Sequence, residues 1–230
     1  MDVEIGKFAY RILCKDGSVI ENPRIDGLEV EFRGRFGGLI EIEDGSIFKN
    51  SKISLGSGAV VTIKKTNLKG IKNTRVDTSC ACKFKKLFID EGCSIEGARF
   101  ALVDDENLSI TVGKDCMLGS NILLRPADGH TVFDVATGAV LNRSMPIVIG
   151  DHVWVGTGVT LLKGANVANN VVIGSNSLLS KRYDEEYVAL AGTPARVVKR
   201  GINWSRSRIP EYERTAHRNE QKHDIPGGSK

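Results

Sequence analysis

His130 is one of four histidines in a chain of 230 residues, and it stands in the stretch Ala127-Asp128-Gly129-His130-Thr131-Val132-Phe133-Asp134. An imidazole titrates near neutral pH, so it can take a proton from a weak nucleophile and return it later in the same turnover. Such a base is held in place by a partner on its other ring nitrogen. Asp128 and Asp134 are candidates for that partner by nearness in sequence. A backbone carbonyl is the third option, and Asp128 is preferred. The competing reading is a surface-loop histidine without a role. The other histidines offer less. His152 occupies a turn position and reads as structural, while His217 and His223 fall in a polar tail and read as solvated.

The elements that would position His130 follow from a six-residue beat. Ile149, Val155, Leu161, Val167, Ile173 and Leu179 recur every sixth residue, and Gly150, Gly156, Ala168, Gly174 or Ser180 often follows. The same beat occurs upstream at Val112, Leu118 and Leu124, at Ile89 and Ile95, at Ile42 and Phe48, and at Leu55 and Val61. It slips around residues 64–88 and 101–111, and it is absent between Leu124 and Ile149, where His130 lies. A period of 3.6 fits these positions poorly, and simple strand alternation would not single out every sixth residue. The beat predicts a parallel β-helix in which each hexapeptide supplies a short strand and a turn, its aliphatic residue pointing into a narrow interior. Gly, Asn, Asp and Ser supply turns that tolerate positive φ. Stacked coils then bury a core that no single coil could bury. A β-sandwich, whose strands recur at longer spacing, is the rejected alternative. The interior of such a solenoid leaves no room for chemistry, so a site must be built on an inserted loop over a rigid wall.

The predicted organisation is an N-terminal cap with irregular first coils over 1–40, a β-helix over 41–200 with the inserted loop at 125–148, and a short C-terminal helix or tail over 201–230. The fold class is all-β. The composition suits it: 41% apolar, 26% charged, only 6% aromatic and 25 glycines. A net charge of +4 is too slight to argue for nucleic acid, though it suits an anionic cosubstrate. The five cysteines, Cys14, Cys80, Cys82, Cys93 and Cys116, form no disulfide frame, and Cys80-Ala-Cys82 is not the spacing of a zinc or thioredoxin motif. Reduced thiols, the lack of a signal-peptide pattern at the N-terminus and the lack of a membrane-length apolar run predict a cytoplasmic protein.

Two stretches carry a family resemblance. Gly150-Asp151-His152-Val153-Trp154-Val155-Gly156 and Ala191-Gly192-Thr193-Pro194-Ala195-Arg196-Val197-Val198 resemble signatures of the hexapeptide-repeat acetyltransferases, the group that includes galactoside and maltose O-acetyltransferases. The match is good over about residues 105–200 and rests on repeat character alone before that. Within the interrupting segment, Asp128, His130, Asp134, Thr137 and Asn142 stand where a loop of the capsule and polysialic acid O-acetyltransferases has the same residues, with Ala127 where that pattern usually has Ser.

The resemblance implies a left-handed β-helix, an exception to the usual handedness of parallel crossovers. It further implies acetyl transfer from acetyl-CoA to a hydroxyl of a surface, capsular polysaccharide, one of sialic acid included, or of its sugar precursor, with His130 as general base and no covalent acyl-enzyme. A ping-pong route through Cys116 is the weak alternative. Trp154 would line the cleft beside acceptor or pantetheine; its plainer reading is a corner aromatic covering the prism. The cosubstrate would lie along a groove between adjacent prisms, on Trp154, Gly156, Gly174 and Ser175, with Ser180 and Lys181 further along. Arg196, Lys199 and Arg200 would meet its phosphates, unless they form only a solvated basic edge. The resemblance also implies a homotrimer with three sites at its interfaces.

An N-acetyltransferase acting on an amino-sugar nucleotide is the near rival, and a non-catalytic or ice-binding solenoid is the distant one. A carbonic-anhydrase-like metal site needs three histidines, and only His130 and His152 lie in the solenoid half, so no metal is expected.

Overall fold

The computed structural model describes residues 7–78 and 84–215. Cys80, Cys82, His217, His223 and the end of the tail lie outside the described residues.

Each hexapeptide forms a strand of two or three residues and then a corner. Ile147–Ile149, Trp154–Val155, Thr160–Leu162, Asn166–Val167, Val172–Ile173 and Leu178–Leu179 follow one another in this way. Each strand pairs in parallel with the strand one coil further on, so Ile149 stacks on Val167, Val155 on Ile173 and Leu161 on Leu179. The strands assemble into sheets of nine, eight and seven strands, the three faces of a prism. The chain visits the faces in a fixed order. The first carries Ser109–Val112, Ile147–Ile149 and Asn166–Val167; the second carries Met117–Leu118, Trp154–Val155 and Val172–Ile173; the third carries Ile122–Arg125, Thr160–Leu162 and Leu178–Leu179.

The aliphatic residues of the beat fill the interior. All six from Ile149 to Leu179 are at most 1% exposed, and Val112, Leu118, Leu124, Ile89, Ile95, Ile42, Phe48, Leu55 and Val61 are buried with them. Burying each such side chain contributes about 1.5–3 kcal/mol against leaving it in water. The corners are closed by residues at positive φ, among them Asn121, His152, Asn170 and Asn176. Asn, Asp and His are the non-glycine residues that most readily take this conformation. A corner role for His152 is therefore built into its backbone.

The beat slips upstream because the coils lengthen at their corners. Asn50 bonds Asn73 across 23 residues, whereas Asp151 bonds Asn169 across 18. The extra residues lie between strands, at 64–70 and 102–108, so the register of the walls is kept. Antiparallel strands finish both ends: Val19–Glu21 on Ala9–Leu13, and Ala195–Arg200 on Val188–Gly192. They cover edges that would otherwise be free to pair with other chains. Beyond Arg200 the chain turns back along the prism, and residues 209–215 are helical.

Candidate active site

The chain leaves the third face after Arg125 and rejoins the first face at Ile147, so residues 126–146 form an excursion at the edge between those two faces. The excursion is a small hairpin. Leu141 N donates to Val132 O, Asp134 N donates to Ala139 O, and Phe133 and Val140 form an antiparallel bridge. The carboxylate of Asp134 closes its tip, accepting from Ala136 N, Thr137 N and Thr137 Oγ1 at 2.7–3.0 Å. The Thr137 hydroxyl and amide hold the Asp134 carboxyl below the usual carboxylate range.

Asn142 braces the other strand of this hairpin. Its Nδ2 donates to His130 O at 2.7 Å and to Asp128 Oδ2 at 3.0 Å, and its Oδ1 accepts from Val132 N at 2.7 Å. Both sides of His130 are thereby fixed. Lys163, on the coil below, donates to the Asp128 carboxylate and to Asn142 O, pinning the loop to the wall. The Lys163 ammonium, joined by the Asn142 amide, holds Asp128 below its ordinary value. Arg125 secures the start of the loop, donating to Asp104 Oδ2 and Asp128 O.

The His130 ring stands exposed, with no hydrogen bond to a described residue. The sequence-based preference for Asp128 as its orienting partner is therefore corrected within this chain. The Asp128 carboxylate is drawn to the Lys163 charge, and the Asp134 carboxylate to its own turn. Both hold the loop rather than the imidazole. Lys163 and Arg125 were missed by the sequence reading: each sits outside the loop motif, and only the folded coil brings Lys163 beneath it.

Trp154 projects from the second face and is 41% exposed. That face lies opposite the edge from which the His130 loop springs, so one chain does not bring His130 and Trp154 together. Cys116 is sealed in the prism beside Cys93, and that neighbouring thiol together with burial pushes its pKa well up. A thiol so placed meets no substrate.

The residues expected to hold the cosubstrate fall into two groups. Gly156, Gly174 and Ser175 follow the strands of the second face, at its edge with the third. The N–H groups of Gly156 and Gly174 are already spent on Ile173 O and Leu190 O, so they are not free for pantetheine. What Gly156 supplies is closeness: a Cβ there would lie 2.7 Å from Ser175 N. Lys181, Arg196 and Arg200 line a cavity of about 480 Å³ at the C-terminal end of the prism, together with Arg182, Tyr183 and Glu185. The Arg200 fork grips the Glu185 carboxylate at 2.6 and 3.0 Å, which raises the Arg200 pKa and lowers that of Glu185. Ser180 and Lys199 are exposed and stand outside that lining. Among the described residues no group of three or more His, Cys, Asp and Glu is placed to hold a metal ion, and no helix is long and apolar enough to cross a membrane.

Comparison with known proteins bears on this geometry. The family model for the bacterial transferase hexapeptide (six repeats) matches residues 146–181. The polysialic acid O-acetyltransferase of Escherichia coli O1:K1 / APEC is 34% identical over 137 residues, which is 59% of this chain and 44% of that protein. The polysialic acid O-acetyltransferase of Neisseria meningitidis is 42% identical over 101 residues, 44% of this chain and 47% of that protein. The chain thus spans about half the length of the curated relatives it matches. The crystal structure of the polySia specific acetyltransferase NeuO superposes with a TM-score of 0.66 at 26% identity, covering 93% of this chain and 90% of that one. The chain therefore carries the bacterial transferase hexapeptide repeat over residues 146–181, has the left-handed parallel β-helix fold of hexapeptide-repeat acetyltransferases, and is similar to polysialic acid O-acetyltransferases.

Proposed function

We propose that the protein is an acetyl-CoA-dependent O-acetyltransferase acting on a hydroxyl of a surface polysaccharide, one of sialic acid included, or of its sugar precursor. The observation that carries this reading is the presentation of His130. Its backbone is braced by Asn142, and the loop is pinned by Lys163 and Asp128, yet its imidazole is left exposed and unspent. A base committed to structure would be hydrogen-bonded.

In this reading acetyl-CoA supplies the acetyl group as a thioester. His130 takes the proton of the acceptor hydroxyl as the oxygen attacks the thioester carbonyl. The tetrahedral adduct collapses, the C–S bond breaks, and the imidazolium returns the proton to the departing thiolate. Asp128, Asp134, Thr137 and Asn142 position the base through the loop. The cavity lined by Lys181 and Arg196 would take the phosphates, since ammonium and guanidinium donors match phosphate oxygens, while the Arg200 fork is held by Glu185.

The site needs a second chain, because Trp154 and His130 lie on opposite sides of one prism. The hairpin leaves Val132, Phe133, Val135 and Leu141 exposed, an apolar set that a neighbouring prism would cover. A cyclic homotrimer, with the loop of one chain facing the Trp154 wall of the next, satisfies both facts.

CoA thiol release from acetyl-CoA tests the reading, for wild type and His130→Ala, across capsular oligosaccharides, sialic acid polymers and amino-sugar nucleotides. Release that requires both His130 and a hydroxyl-only glycan is the expected result. Release with amino-sugar nucleotides alone would replace it with N-acetyl transfer.

A further inference from the structure

The segment after Arg200 crosses the corner between the first and second faces and is tied there at many points. His152 is the corner residue of its coil. Trp204 lies flat on it, ring centroids 4.3 Å apart and planes 10° from parallel. The indole Nε1 donates to His152 O at 2.8 Å, and the His152 Nε2 lies 3.1 Å from Trp204 O. His152 Nδ1 faces Asp115 Oδ2 at 2.8 Å, on the same corner one coil earlier. Arg206 covers the other flank. It donates to Asp115 Oδ1, Ser94 Oγ, Gly92 O, Asp115 O and Cys116 O, and its guanidinium carbon lies 5.5 Å from the Trp204 ring. Trp204 is left 9% exposed.

This clamp ends against Trp154. The two indoles are 6.2 Å apart and inclined at 48°. Trp154 itself stands on a flat strand of two residues, with Met117 and Val172 as its register neighbours. A bulky ring on such a wall has several rotamers open to it, and Trp204 is the one ring it meets among the described residues.

We infer that Trp204 is a positioning residue: the C-terminal strap holds Trp204 rigidly so that Trp204 fixes the indole of Trp154 as one wall of the acetyl-transfer site. This rests on the acetyltransferase reading. An indole face stacks on the C–H face of a sugar ring or on an apolar acyl chain, and it binds best when its orientation is set beforehand. A strap of this kind makes affinity at the wall depend on chain 50 residues away in sequence.

Steady-state kinetics of Trp154→Ala, Trp204→Ala and the double variant test the inference, with thermal melting of each. Trp204→Ala is expected to raise the same KM that Trp154→Ala raises, by roughly three- to tenfold, with kcat nearly unchanged, as an aromatic contact of this kind would give. The double variant should be no worse than Trp154→Ala alone, because one residue acts through the other. Trp204→Phe keeps a ring against Trp154 and should restore much of the affinity. The chain has only two tryptophans, so the paired indoles give an exciton couplet in circular dichroism that Trp154→Phe and Trp204→Phe should each abolish. Should Trp204→Ala fail to fold, Arg206→Met loosens the same strap and is expected to shift the same KM. A KM left unchanged by a folded Trp204 variant while Trp154→Ala raises it overturns the inference, as do additive effects in the double variant. If Trp154→Ala itself changes neither KM nor kcat, the place of Trp154 in the site is wrong and the inference falls with it, whereas His130-dependent thiol release would still stand.

Discussion

From Ile147 to Leu179 every sixth residue is sealed in the prism, while the hairpin just before it leaves Val135 94% and Leu141 64% exposed. The wall is redundant. Each coil repeats the one below, and its stability is a sum of like contacts between neighbours. The hairpin is singular. Asp134, Thr137 and Asn142 hold its shape with side-chain hydrogen bonds within the hairpin itself. Apolar residues that a lone domain would hide are turned outward, and a basic side chain of the wall pins the loop down. The difference teaches where substitution should act. Changes at the buried aliphatic positions of the wall cost stability and leave chemistry alone, and changes in the hairpin do the reverse.

The largest effect is expected at His130. Substitution by Ala should lower kcat by about 10²–10⁴-fold with an unchanged melting temperature, since general base catalysis contributes on this order. A variant retaining full thiol release would remove the base. Leu161→Ala should do the opposite. Truncating a fully buried Leu costs about 2–5 kcal/mol. A lower melting temperature with KM and kcat kept at temperatures where the fold survives is the expected pattern, and lost activity in an otherwise stable variant would break the contrast. Val135→Asp, at the exposed hairpin, should weaken assembly without lowering the stability of the single prism. Sedimentation velocity would then show smaller species, and an unchanged oligomer would mean that the hairpin is not the contact.

The smallest effect concerns the pin beneath the loop. The folded-state pKa of Asp128 is depressed by Lys163, so the contribution of this pair is present above the ordinary carboxylate value and is lost as pH falls through the depressed one. The pair is partly exposed, so the effect is small. The protection factor of the Val132 amide, whose N–H is bonded to Asn142, should fall as pH drops below the ordinary carboxylate range. Protection that persists through that range would show that Asn142 holds the hairpin without Asp128.

Much of the wall was legible in the sequence because a hexad beat is a local signal. Ile149, Val155 and Leu161 announce their own burial, and Asn121, Asn170 and Asn176 announce their own corners. The upstream half was less legible, since corners of variable length break the beat while leaving the ladder intact. There, buried Ser and Thr side chains help close the longer corners, as when Thr66 Oγ1 accepts from Ile47 N and Thr78 Oγ1 from Gly56 N. Of the candidate site, the loop and its exposed histidine were readable from the break in the beat and the Asp-Gly-His setting. Lys163, Asp115, Trp204 and Arg206 were not. Each acts on a residue 35 or more positions away, and no spacing in the sequence records which coil will lie beneath which.

The central claim is that the site is shared, His130 of one chain facing Trp154 of another. Mixing inactive His130→Ala chains with Trp154→Arg chains, whose long charged side chain replaces the aromatic wall and blocks the site, under conditions where subunits exchange, tests it directly. Random assembly into cyclic trimers should rebuild intact sites and restore about a quarter of wild-type thiol release. A mixture that exchanges subunits, as seen by mass spectrometry of the mixed oligomers, yet stays inactive would contradict the shared site.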